Sequence, residues 1–187
     1  FMNKILMVGC GHMGSALLSF WHKQKSNKIT IIDPKKYKIL NKKFKRKISA
    51  FNSVEKIKDY KIFNIIIFCV TPQVSASVLE KFRNFEYKKN VLFVSIIAGK
   101  KISFFNNYLP KNNQFIRVMP NMPASIGYGL SCLVANKKTS IINRNKAINL
   151  FSKSGKAIMF KSEKDIDKVT AISGSGPGYF FLFINLL

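Results

Sequence analysis

Gly9-Cys10-Gly11-His12-Met13-Gly14 follows the apolar run Ile5-Leu6-Met7-Val8 directly, a G-x-G-x-x-G spacing at a strand-to-helix turn. That spacing suits a cradle for phosphate. The first glycine permits a tight turn, the second lets the backbone approach a pyrophosphate, and the third lets helix pack on strand. The stretch that follows, with Ala16, Leu17, Leu18, Phe20 and Trp21, is amphipathic. As a helix it aims free N–H groups and the positive end of its dipole at the phosphates. A second apolar run, Lys28 to Ile32, ends in Asp33, where an acidic side chain meets the adenosine ribose of a bound dinucleotide. The competing reading is a glycine-rich turn with no ligand. Cys10 stands where a helix N-terminus lowers a thiol pKa, although a small space-filler serves there equally well. For His12, helix-start packing or a phosphate hydrogen bond is expected rather than catalysis, and His22 is expected to be solvated.

Four further segments fall where strands should end, which is where open α/β sheets bind ligands. They are Cys69-Val70-Thr71-Pro72-Gln73, Val94 to Gly99, Arg117-Val118-Met119-Pro120-Asn121-Met122-Pro123-Ala124, and Thr170 to Tyr179 with its Ser173-Gly174-Ser175-Gly176-Pro177 core. The elements that must position them alternate between β-branched runs and helical patterns, the sign of a parallel sheet covered on both faces. Strands are expected at Ile5–Val8, Ile29–Ile32, Ile48–Phe51, Ile65–Val70, Val91–Ser95, Phe115–Val118, Leu130–Val134 and Ala157–Phe160. Helices are expected at Val74–Phe85, after Pro72 at an early helical position, and at Ile102–Tyr108, Ile141–Phe151 and Asp165–Ile172. The fold class is thus α/β, Rossmann-like and mostly parallel, with helices on both faces. It fills residues 1–162, and from residue 163 helices begin a second domain. The apolar run Tyr179 to Leu187 stops without cap, breaker or polar tail. A truncated chain, or one that leans on a partner, is the expectation.

The chain has 187 residues and is 47% hydrophobic, enough for a substantial core and too apolar for disorder. Cys10, Cys69 and Cys132 are isolated and odd in number, as expected of reduced cytoplasmic thiols rather than disulfides or metal ligands. No run is long enough to span a bilayer. The net charge of +24 invites a nucleic-acid reading. However, the cations are overwhelmingly Lys and widely spread, and Arg, the better bidentate base reader, is scarce. Only non-specific nucleic-acid binding is expected.

Taken together, the glycine turn, the strand-end segments and above all S-G-S-G-P and R-V-M-P-N-x-P closely resemble the pyrroline-5-carboxylate reductases, over essentially the whole chain. The resemblance implies hydride transfer from NADPH or NADH to the C=N bond of 1-pyrroline-5-carboxylate, giving L-proline. Carried over residue by residue, Gly9, Cys10, Gly11, His12, Met13 and Gly14 would hold the pyrophosphate, and Asp33, Pro34 and Lys35 would border the adenosine ribose. Asn52 would contact the nicotinamide-side ribose, Val70, Thr71 and Pro72 would line the cofactor cleft, and Ala98 would lie against the nicotinamide. Asn121 and Ser173, Gly174, Ser175 and Gly176 would sit near the substrate, with Glu163 a further candidate for that region. Each has a plainer alternative: Asn52 and Ser175 as helix caps, Asn121 as a turn residue.

Thr71 replaces the family's usual Lys, which removes one cation near the cofactor, and Met122 replaces its usual Thr. The family's proton donor would lie beyond Leu187, in a helical domain that also forms the homo-oligomer. Asp33 favours a free ribose hydroxyl and Lys35-Lys36 a 2′-phosphate, so either nucleotide is expected, with a lean to NADPH. Two other readings remain: a Rossmann reductase of the hydroxyacid dehydrogenase type, and a non-catalytic nucleotide- or nucleic-acid-binding remnant.

Overall fold

Alternation within the apolar runs sets the two faces of the sheet. In a strand, successive side chains point to opposite sides. Ile5 and Met7 of the first strand therefore share one core with Ile65, Ile67, Leu92 and Val94. Leu6 and Val8 share the opposite core with Ile66, Phe68 and Phe93. The computed structural model describes residues 2–173 and 176–186. Within them the strands are β1 (Asn3–Val8), β2 (Asn27–Ile32), β3 (Ile48–Phe51), β4 (Ile65–Phe68), β5 (Leu92–Ser95), β6 (Gln114–Met119), β7 (Gly129–Ala135) and β8 (Gly155–Phe160). They form one sheet in the order β3-β2-β1-β4-β5-β6-β7-β8. All neighbouring pairs are parallel except β6 with β7, where the chain reverses. The order departs from sequence order between β1 and β4, which opens a crevice at the carboxyl ends of those strands.

The helices are α1 (His12–Trp21), α2 (Tyr37–Phe44), α3 (Ser75–Glu80), α4 (Ile102–Phe105), α5 (Ile141–Phe151), α6 (Glu163–Ser173) and α7 (Gly176–Asn185). Leu17, Leu18 and Trp21 of α1, Leu40 of α2, and Leu150 and Phe151 of α5 cover one face. Trp21 is fixed there by donating its indole N–H to the Leu150 carbonyl at 2.8 Å, with its ring edge-on to Phe151. Leu79, Ile102, Phe105 and Ile166 cover the other face together with a phenylalanine cluster. In that cluster Phe68 and Phe82 meet edge to face, 5.2 Å between centroids, the arrangement that the ring quadrupole favours.

Several expectations need correction. The helix expected over Val74–Phe85 is α only from Ser75 to Glu80, after a 3-10 turn at Pro72–Val74. Beyond it Lys81, Phe82 and Arg83 donate to carbonyls three residues back. The tighter winding accompanies a fully buried Phe82. The α4 helix likewise ends at Phe105 and passes into turns before Tyr108. Strand β4 stops at Phe68, two residues short of Val70. The α2 helix was not expected, yet Tyr37, Leu40 and Phe44 lie on the side that packs against the sheet.

Helix α6 packs directly on the sheet. Ile166 is fully buried, and Arg117 of β6 reaches two of its carboxylates. Arg117 Nη1 donates to Glu163 Oε1 at 3.2 Å and Nη2 to Asp167 Oδ1 at 2.8 Å. The Ile102 amide at the start of α4 donates to the same Glu163 oxygen at 3.0 Å. By contrast α7 exposes Tyr179, Phe180, Phe181, Leu182, Phe183 and Ile184. Among the described residues no helix is long and apolar enough to cross a membrane.

Candidate functional site

The carboxyl ends of β1, β2, β3, β4, β5 and β6 lie along one edge because these strands are parallel, and Gly9–Gly14, Asp33, Asn52, Val70–Pro72, Ala98 and Asn121 follow those ends. At the end of β1, Gly9 takes φ +90°. A side chain there would sit 2.9 Å from the Cys69 carbonyl oxygen at the end of β4, so backbone strain and contact both demand glycine. A Cβ on Gly14 would come 3.3 Å from the Gly9 carbonyl oxygen, the close packing of helix on turn. Gly11 is the reverse case. A Cβ there would meet nothing within 4 Å, so the turn presents bare backbone to an open space.

Gly11 stands at the N-cap position of α1 with no side chain capping the helix. The first-turn N–H groups of α1 are therefore directed at that space, together with the positive end of the helix dipole. A hollow of about 300 Å³ lies alongside, lined by His12, Met13, Ser15, Ala16, Lys36, Met122 and Ser125. The open backbone and the uncapped helix start fit a pyrophosphate.

Cys10 is held at both of its backbone groups. Its N–H donates to Asp33 Oδ2 at 2.8 Å. Its carbonyl accepts from Ser15 Oγ at 3.0 Å and from Lys36 Nζ at 2.8 Å. The thiol is buried. Burial pushes its pKa up against the lowering effects of the Ser15 hydroxyl and of Lys36. The Cys10 sulfur lies 3.4 Å from Ser15 Oγ, and burial likewise pushes up the thiol of Cys69.

Asp33 is only 9% exposed. Besides Cys10, its carboxylate accepts from the Lys35 and Lys36 amides at 3.0 and 2.8 Å through Oδ1. Pro34 and Lys35 are exposed beside it. Asn52 is exposed at the end of β3, next to Asp33, whose N–H donates to the Phe51 carbonyl.

On the other side of β1, Val70, Thr71 and Pro72 follow β4, and Ala98 is exposed after β5. The sheet order thus puts Asn52 and Ala98 on opposite sides of the glycine turn. Asn121 is half-buried, and its Oδ1 accepts from the Leu130 amide at 2.8 Å, tying the end of β6 to the start of β7.

Gly174 and Ser175 lie outside the described residues. Ser173 ends α6 and Gly176 begins α7. Glu163, the further candidate for the substrate region, holds Arg117 and the start of α4 through its carboxylate. His22 is more than solvated: its Nδ1 lies 2.8 Å from the Leu18 carbonyl and its ring meets Phe44 edge-on. The Arg117 cluster escaped the sequence reading. The signal available was a single arginine inside the apolar run Phe115 to Val118.

Comparison with known proteins adds to this geometry. A family profile described as NADP oxidoreductase, coenzyme F420-dependent, matches residues 4–99. The pyrroline-5-carboxylate reductase of Haemophilus influenzae is 30% identical over 98% of this chain, and the match covers 67% of its own length. Among solved structures, the Plasmodium falciparum pyrroline carboxylate reductase with NADP bound superposes with a TM-score of 0.83 at 28% identity. It covers 100% of this chain and 69% of that one. The Coxiella burnetii pyrroline-5-carboxylate reductase superposes with a TM-score of 0.88 at 24% identity, again over 100% of this chain and 69% of that one.

Proposed function

The chain belongs to the pyrroline-5-carboxylate reductase family, and from that premise we propose that it serves the NADPH-dependent reduction of 1-pyrroline-5-carboxylate to L-proline. The observation that carries this reading is the convergence of an open glycine turn, the Val70–Pro72 segment and Ala98 on adjacent strand ends. A bound NADPH supplies the hydride for the imine carbon.

The chain's own residues bind and orient. The Gly9–Gly14 backbone and the start of α1 hold the pyrophosphate by N–H donation. Val70, Thr71 and Pro72 wall the cleft and limit water. Ala98, lacking a bulky side chain, allows a flat ring to lie close to the end of β5. Such placement, rather than strong acid–base machinery, is the main requirement for hydride transfer to an imine.

Strand order refines one assignment. With the pyrophosphate over β1 and the nicotinamide toward Ala98, the adenosine half extends over β2 and β3. Asn52 then belongs on the adenosine side rather than beside the nicotinamide ribose. Asn121 and the Ser173–Gly176 turn remain the proposed substrate neighbours. The division of the chain at Ser162, a homo-oligomeric assembly and a cytoplasmic location also belong to this reading. The apolar side chains that α7 exposes support the assembly.

The test is a coupled measurement of NADPH oxidation and proline formation with 1-pyrroline-5-carboxylate as substrate. Stoichiometric appearance of proline is the expected result. Oxidation of NADPH by keto-acids and not by the cyclic imine would move the chain to a hydroxyacid-type reductase.

A further inference from the structure

The acidic residue at the end of the second strand of a dinucleotide-binding unit ordinarily accepts hydrogen bonds from the adenosine ribose, and its charge then opposes a 2′-phosphate. In this chain that residue is already engaged. A carboxylate offers about four lone-pair positions, and three backbone N–H groups, those of Cys10, Lys35 and Lys36, occupy Asp33. The group is buried, and its charge faces aligned amide dipoles at the start of α2. The Lys36 ammonium reaches back to the Cys10 carbonyl, so cation and anion both close on the second residue of the glycine turn. Lys35 remains exposed next to them.

We propose that Asp33 is a positioning residue that fastens the glycine turn to the start of α2 and takes no part in distinguishing NADPH from NADH, while Lys35 and Lys36 meet the adenosine 2′-phosphate. Two consequences follow from one geometry. The carboxylate that sequence position marks as hostile to a 2′-phosphate has its charge turned inward. The cations that follow it are held at the mouth of the cradle by the turn that Asp33 caps. The assignment rests on the dinucleotide reading above for its second half, whereas the fastening itself is a property of the free chain.

Two measurements separate these parts. The first is residue-resolved amide hydrogen exchange on the chain without nucleotide. Slow exchange at Cys10, Lys35 and Lys36 is expected, together with its loss at all three in Asp33→Ala while amides of β5 and β6 stay protected. A Cys10 amide that exchanges in the native chain as freely as an open loop would overturn the fastening.

The second is titration of NADPH and NADH into native, Asp33→Asn and Lys36→Met chains. Asp33→Asn is expected to weaken both nucleotides alike, leaving the ratio of dissociation constants within about twofold. Lys36→Met should lower the NADPH preference by about fivefold. A shift of about tenfold or more toward NADPH in Asp33→Asn would mark Asp33 as the discriminating residue and sink the proposal. Binding of neither nucleotide by the native chain would end the dinucleotide reading, and the discrimination with it. The exchange result would still decide the fastening.

Discussion

Among the described residues two ionic groups are buried, Asp33 and Arg117, and they are neutralised in opposite ways. No cation among the described residues contacts the Asp33 carboxylate, which accepts instead from the backbone N–H groups of Cys10, Lys35 and Lys36. Arg117 is held by two side-chain carboxylates from α6, 46 and 50 residues further along the chain. The arginine side chain is 4% exposed, while Glu163 and Asp167 are 25% and 47% exposed. The first arrangement shapes a turn locally, with partners that cannot swing away. The second staples a distant helix to the sheet and depends on carboxylates that water can also reach. Position relative to the site follows the same division, since the dipole-held charge shapes the glycine turn itself.

Removing both acids, in Glu163→Gln with Asp167→Asn, should have the largest effect. It leaves the buried guanidinium without a counter-charge, at a cost of about 3–5 kcal/mol. Urea unfolding would show it as a lowered midpoint, and an unchanged midpoint would mean that Arg117 finds other partners. Gly9→Ala attacks the turn that Asp33 fastens. A non-glycine residue at φ +90° in contact with the Cys69 carbonyl should cost about 1–3 kcal/mol and abolish nucleotide binding, read by calorimetry.

Asp33→Ala strips the acceptor from one buried and two half-buried N–H groups and should cost about 1–3 kcal/mol, less than the double acid replacement. The reverse ranking would erase the distinction between the two regions. Combining Asp33→Ala with the double acid replacement sharpens it further. The regions share no partner, so their effects should add to within about 0.5 kcal/mol in the same urea experiment. A larger coupling would show that α6 and the glycine turn act as one unit.

Legibility in the sequence followed the same physical line. Apolar runs marked all eight described strands, most plainly β4 and β5, which are buried on both faces. Glycine spacing marked the turn, because backbone space is a property of residue type. Helix α2 was obscured by Lys38, Lys42 and Lys43, although Tyr37, Leu40 and Phe44 carry its buried stripe. The early end of α3 was not readable, since it accompanies the seating of Phe82 among rings contributed by distant segments. Asp33 was recognised by position, but its inward orientation depends on Cys10, 23 residues away. The pairing of Glu163 with Arg117, 46 residues apart, left no local sign in the sequence. Apart from α2, what escaped was a pairing between segments, which composition and periodicity do not encode.

The chain contains a single tryptophan, and its setting gives it a further use. Trp21 is fully buried on α1, hydrogen-bonded to the far end of α5. Its emission should therefore be blue-shifted in the native chain and should report the separation of these two helices without interference from another indole. The same helix begins at the glycine turn, so a reduced nicotinamide bound there would lie in the same domain as the fluorophore. Its near-ultraviolet absorption overlaps indole emission, and resonance transfer from Trp21 would give a label-free optical signal for occupancy of the cradle.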